Sequence, residues 1–197
     1  MNKIACFVLF SLWIFTLTGQ SLSLTDTTKV KSRSSVVVCF LIGDSNNYKI
    51  RWCKDSESHV SSREYPLING ELLTIVDTLE KYVVLFQNCG QKNKYVVLLP
   101  LKRSQPEMVF ENVLEYDILN KNLMFITKEN GKKNVNVTLF NLVTEERHEY
   151  QLQKTCSAAN PIECIDNVEY KLGQVIISYF GDDDNTIRIK KIRLPTE

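Results

Sequence analysis

The chain has 197 residues, with 24 basic and 23 acidic side chains, a net charge of +1, and six cysteines. So balanced a charge argues against the basic face on which phosphate neutralisation depends, and nucleic acid is not expected as a partner. The length suits one ordinary domain with a sizeable core rather than two.

Lys3 precedes an uncharged, apolar-rich stretch from Ile4 to Leu17, followed by the small or polar residues Thr18, Gly19, Gln20 and Ser21. Residues 1–21 therefore read as a secretory signal peptide. The stretch is shorter than the ~20 residues of a membrane-spanning helix, and nothing later approaches that length, so no membrane span is expected. The protein is expected to be secreted and extracellular. Residues 22–35, "LSLTDTTKVKSRSS", are polar and without a lasting period, and read as a flexible lead-in. Lys29, Lys31 and Arg33 fall within it as a solvated tail.

From residue 36 to 197 the pattern is one of short β-branched and aromatic runs divided by Gly, Asn and Asp, which predicts strands and turns in a single all-β domain. No window of a dozen residues holds a helical stripe. The first hairpin is "VVVCFLIGDSNNYKIRWC". If its loop is Ser45 to Asn47, with Asn47 left-handed, positions summing to 92 face each other and Cys39 lies opposite Cys53, within disulfide reach. The second hairpin joins "YVVLF" to "KYVVLL" through "QNCGQKN"; the third joins "LMFIT" to "NVNVTLF" through a turn at Asn130-Gly131. The fourth joins "VIISYF" to "TIRIKKIRL" through "GDDDN", and its cations Arg188, Lys190, Lys191 and Arg193 are read as one strand face.

These hairpins repeat. A shift of 41 residues lays Ile75 on Tyr116, Val83 on Met124, Gly90 on Gly131, Val96 on Val137 and Leu98 on Leu139. "VEYKL" at 168–172 matches "LEYDI" at 114–118, and "GDDDN" at 181–185 matches "GDSNN" at 43–47. Each unit is a lead strand followed by a hairpin, and the third adds "RHEYQLQ". Units of about 40 to 50 residues with three or four short strands have the layout of β-propeller blades. The expected fold is an antiparallel meander of three to four blade-like hairpin units, forming a small propeller-like ring or an open β stack. A lipocalin-like β-barrel is the alternative, although its Gly-x-Trp is missing, since Trp52 follows Arg51.

Export removes Cys6 and leaves Cys39, Cys53, Cys89, Cys156 and Cys164, for which disulfides are the default in an oxidising compartment. Cys156 and Cys164 enclose the short loop "SAANPIE" and form a natural staple; Cys39 with Cys53 is the second expected bridge. Cys89 is left over, with three fates open: a disulfide-linked dimer, a bridge to Cys156 or Cys164, or burial. Asn136 begins the one Asn-x-Ser/Thr sequon beyond the leader and is expected on an exposed strand face, open to N-glycosylation.

Asp182, Asp183 and Asp184 look at first like a cation loop. They lack the alternating ligands, the central Gly and the distant Glu of a calcium loop, so turn chemistry is the better reading. His59 in "KDSESHVSS" and His148 in "ERHEY" are read as solvent-facing, and Glu115 and Glu169 as outward neighbours of inward tyrosines. No cofactor, metal or catalytic set is expected. The functional expectation is a secreted, non-enzymatic binding protein that meets an extracellular protein, as a host-directed effector would, through loops such as those at Asp182, Asp183, Asp184 and Asn130. A carrier of a small apolar ligand and a secreted hydrolase are the alternatives.

Overall fold

The computed structural model describes residues 27–33, 35–42, 46–55, 57–68, 70–90, 94–102, 104–129, 134–153, 155–183 and 185–194. The expected signal peptide, Asp184 and the Asn130-Gly131 turn lie outside the described residues.

The described residues form antiparallel sheets and one short 3₁₀ turn, Pro161–Cys164. The first sheet contains β1 (Thr27–Arg33), β2 (Val36–Ile42), β3 (Asn47–Lys54) and β4 (Glu57–Val60), with β5 (Tyr65–Pro66) also on β3. The second contains β6 (Thr74–Thr78), β7 (Tyr82–Asn88), β8 (Lys94–Pro100), β9 (Met108–Asp117), β10 (Asn122–Glu129), β11 (Asn134–Asn141) and β12 (Arg147–Gln153), paired in chain order. The third contains β13 (Ile165–Lys171), β14 (Gln174–Phe180) and β15 (Ile187–Arg193).

Four three-stranded meanders are thus present: β1-β2-β3, β6-β7-β8, β9-β10-β11 and β13-β14-β15. The lead strand of the first is β1, cut from the segment expected to be flexible. Its pairing with β2 over the full length from Thr27 to Arg33 satisfies backbone groups that β2 would otherwise present at an open edge. The second and third units share one ladder because β8 pairs with β9. No closed barrel results, since the outermost strands of the second sheet, β6 and β12, do not pair with each other. Of the arrangements open to the sequence, the chain takes the open stack.

The 41-residue repeat holds on β11 but slips on β10. Val96 and Val137 both face the following layer, yet Val83 faces the preceding layer and Met124 the following one. A register shift between Ile126 and Lys128 inserts one residue, so Leu123 takes the place equivalent to Val83.

β9 turns the corner of the second sheet. Met108, Val109 and Phe110 pair with Leu98, Val97 and Val96 of β8, Glu115, Tyr116 and Asp117 pair with β10, and Val113 pairs with both Lys94 of β8 and Phe125 of β10. Between them Asn112 has φ 53°, a left-handed conformation that Asn tolerates better than most side chains. The bent sheet folds onto itself. Tyr82, Val84, Val96 and Leu98 pack against Leu123, Phe125 and Phe140, with the Phe110 ring 4.9 Å from Phe125 and 5.8 Å from Phe140. Two further cores lie on the outer faces of this folded sheet. One is shared with the first sheet through Val38, Phe40, Ile50 and Trp52 against Leu85, Val97 and Leu99. The other joins Met124, Val137 and Leu139 to Val175, Ile177 and Ile192 of the third. The result is four layers with three filled interfaces.

A polar tie locks the bend. On a flat sheet Asp77 of β6 would stand about 14 Å from β9, three strand spacings away, yet Tyr116 donates its hydroxyl to Asp77 Oδ2 at 3.0 Å. Lys121 Nζ reaches the same oxygen at 2.7 Å. Burial alone would raise the Asp77 carboxyl, but the hydrogen bonds from Lys121, Tyr116 and the Thr78 N–H outweigh it and hold the group below the usual carboxylate range. Burial, and then the carboxylate itself, push the Tyr116 hydroxyl far up, so it stays a donor.

Two outcomes follow for equilibrium unfolding. Asn112→Ala should cost about 1–2 kcal/mol, while Asn112→Gly should cost nothing, because only the former puts a strained Cβ at positive φ. Asp77→Asn should cost about 1–3 kcal/mol at neutral pH. Since the folded-state carboxyl titrates below the unfolded one, this difference should be complete above roughly pH 5 and shrink as pH falls through the folded-state value. Urea titrations of both proteins from pH 7 to pH 3 check it.

Candidate functional site

Cys156 and Cys164 are joined, with Cα atoms 5.4 Å apart and a sequence separation of 8. The bridge clips the 3₁₀ turn, whose first residues are capped by the Asn160 side chain accepting from the Ile162 N–H, and so fastens the crossing from β12 to β13. The Cys156 N–H donates to the Phe180 carbonyl at 3.0 Å and ties the bridge to β14.

Cys39 and Cys53 do not face each other. The β2–β3 register places Cys39 opposite Arg51 and Cys53 opposite Val37, so facing positions sum to 90 rather than 92, and the two sulfurs are not joined. Asn47 consequently belongs to β3 instead of a left-handed turn position. The physical reason is parity: a two-residue slide leaves every side chain on its own face, so hydrophobic alternation cannot choose between the two registers. The two cysteines still share the outer face of the first sheet. Burial, and then the neighbouring Cys53, push the Cys39 thiol up, with Arg51 pulling it partly back. Cys89 is half-buried and unbridged, its sulfur 3.9 Å from the Gln87 carbonyl, and burial raises its thiol.

Asn136 is half-buried, and its Oδ1 is enclosed without a hydrogen-bond partner, so the sequon does not stand on an open face. The cause is the folding of the second sheet, which covers the Asn136 face of β11, while the third sheet covers the opposite one. His148 is half-buried on β12 rather than solvent-facing. His59 departs further from expectation: it belongs to β4 opposite Trp52, and its ring lies flat on the indole at 5.3 Å and 11°. Glu115 forms an ion pair with Lys94, and Glu169 with Lys171 at 3.1 Å.

At "GDDDN" the turn reading accounts for the described acids. Asp183 Oδ1 accepts from the Asn185 and Thr186 N–H groups at 3.3 and 2.9 Å, and Oδ2 from the Thr186 hydroxyl. These bonds, the Thr186 hydroxyl foremost, hold the Asp183 carboxyl below its ordinary range. Asp182 meets Arg188 at 3.4 Å. Gly181 is required for closeness: a Cβ there would meet Arg188 Nε at 2.9 Å and the Thr186 carbonyl at 3.2 Å. Among the described residues no three His, Cys, Asp or Glu side chains are placed to share a metal ion, and no helix is long and apolar enough to cross a membrane.

The largest surface that sequence reasoning missed is the outer face of the third sheet. Val175, Ile177, Tyr179 and Ile192 point into the core, which turns Ile176, Phe180, Ile187, Ile189, Lys191 and Arg193 the other way. Arg188 and Lys190 share the inward parity, so the four cations of β15 split two and two instead of lining one face. Ile187 and Ile189 are 54% and 62% exposed, high for β-branched residues in a strand. On β13 the same face adds Lys171 and Glu169. The surface therefore runs from the acidic turn at Asp182 and Asp183, across isoleucines, to Lys171, Lys191 and Arg193. The alternation I-R-I-K in the sequence carried this signal; it was hidden by reading the cations as a block.

No family model, curated protein or solved structure matches this chain.

Removing the Cys156–Cys164 bridge by a double Ser substitution should lower unfolding free energy by about 2.5 kcal/mol, the loop-closure value for eight residues. Comparison of urea midpoints for the two proteins checks it.

Proposed function

We propose that this chain is a secreted, non-enzymatic binding protein that docks an extracellular protein partner on the outer face of its third sheet. The observation that carries the reading is the pair Ile187 and Ile189, held in the open on a rigid strand whose opposite side is packed into a core. Contiguous exposed aliphatic side chains rimmed by charge mark interaction surfaces. The charge gradient supports an oriented partner. Three cations, Lys171, Lys191 and Arg193, stand at one end with Glu169 as the one acid among them, so the complementary segment is aliphatic and acidic.

The alternative, a barrel that carries a small apolar ligand, has less support, because the sheets are open and the interfaces between them are filled. The loop reading is narrowed: Asp182 and Asp183 are engaged within their own turn, which serves as the rim of the face rather than as its centre.

The residue 22–197 chain, immobilised and exposed to extracellular fluid or host extract, should retain a protein that Ile189→Asp and Lys191→Glu both release. Leu172→Asp, which alters an exposed leucine at the β13–β14 turn outside this face, should leave retention unchanged. The effect of either face variant should be a loss of about tenfold or more in affinity. Equal retention by all four proteins, with unchanged circular dichroism, would refute the assignment.

A further inference from the structure

We infer that a second site, unrelated to the outer face of the third sheet, takes a small organic cation bearing N–H donors, an alkylammonium or guanidinium group. It lies where the first and second layers meet, in an open cleft of about 500 Å³. The volume falls in the ordinary range of ligand pockets.

The cleft is built from three elements. β3 contributes Trp52, only 3% exposed, whose indole N–H donates to the Pro100 carbonyl at the end of β8 at 2.6 Å. β4 contributes His59, stacked on that indole with its side chain 9% exposed. The connection between β8 and β9 contributes Gln105 and Glu107. Trp52 therefore fixes the floor by a bond between the two sheets, and the imidazole is held by stacking rather than by a hydrogen bond.

The polar groups of the walls are mismatched among themselves. His59 Nε2 and Gln105 Oε1 are buried and have no hydrogen-bond partner; Glu57 Oε2 stands 3.8 Å from the former. Glu107 is a carboxylate with its side chain 9% exposed. Its Oε1 accepts from the Tyr65 hydroxyl and its Oε2 from the Ser62 N–H at 3.3 Å, while among the described residues the basic group paired with it, Arg63 Nε, is 3.8 Å away on a side chain more than half exposed. An enclosed carboxylate with a distant, solvated counter-charge attracts a cation. An enclosed amide oxygen without a donor attracts an N–H. Both demands are met by one chemical group, an ammonium or guanidinium, and the carboxylate repels an anion. Gln105 lines the cleft from a connection outside the strands.

The chain carries its own reporter. It has two tryptophans, Trp13 in the leader and Trp52 in the floor of the cleft, so in a protein starting at residue 22 tryptophan-selective excitation reports from the site alone. Agmatine and n-butylammonium, titrated to about 20 mM at constant ionic strength, should give a saturable change in Trp52 emission and shift the His59 imidazole resonances. Tetramethylammonium, which has charge but no N–H, glucose, which has donors but no charge, and acetate should not. Gln105→Leu, which leaves the Glu107–Tyr65 bond intact, and Glu107→Gln should each weaken agmatine binding about tenfold with unchanged circular dichroism. An acetylated Ala-Arg-Ala amide distinguishes the source: tighter binding than agmatine assigns the cation to a protein side chain, weaker binding to a free amine. No saturable change in either signal, an equal response to tetramethylammonium or glucose, or an unchanged affinity in the folded Gln105→Leu protein would overturn the inference. None of these outcomes touches the binding of a protein to Ile189 and Lys191.

Discussion

The structure depends on burying both faces of a seven-stranded sheet when the described residues supply one short 3₁₀ turn and no longer helix to cover them. A flat sheet of that width needs a covering layer on each side. Here the bend at β9 lets one half of the sheet cover the other, so only two more layers are required, and the short first and third sheets supply them. The bend needs a residue that accepts positive φ inside a strand, and Asn112 provides it. The Asp77, Tyr116 and Lys121 contact then holds the halves in register from within, with charge and hydrogen bonds that are fully used.

Stacking blade-like units without closing them into a ring has a physical consequence. Each inner layer is covered on both sides, but the first and last sheets each keep an uncovered face, as the terminal units of repeat proteins do. Such faces must be polar or must find a partner. The outer face of the third sheet is only half polar, which is why the proposed docking face centres on Ile187 and Ile189 rather than on the loop tips. The cleft at Trp52 has a different origin: β4 is a short strand, and where it ends the seam between two layers is left open.

Local signals were strong enough to read the strands, the lead-strand-plus-hairpin unit, the Cys156–Cys164 staple and the turn at Asp183, because each rests on residues within about a dozen positions of one another. The hairpin positions that take positive φ were less legible. Lys121 and Glu145 occupy left-handed turn positions that propensity assigns to Gly or Asn. Lys121 is held there by its ammonium on Asp77, a partner 44 residues away. His59 reads as a loop residue because "SESHVSS" is polar but for Val60; its environment comes from Trp52 across the ladder and from the β8–β9 connection.

Composition and period-two alternation by themselves determined that this chain is all-β, built of repeated antiparallel hairpins and stapled at Cys156 and Cys164, since side-chain parity and turn chemistry are local properties. Tertiary structure alone decided that β8 pairs with β9, that the sheet folds at Asn112, that Cys39 faces Arg51, and that Asn136 is half-covered. Parity is unchanged by a two-residue slide of one strand on another, and it does not say which sheet will cover a given face. Those choices are made by packing between layers, where residues far apart in the chain must fill one interface together.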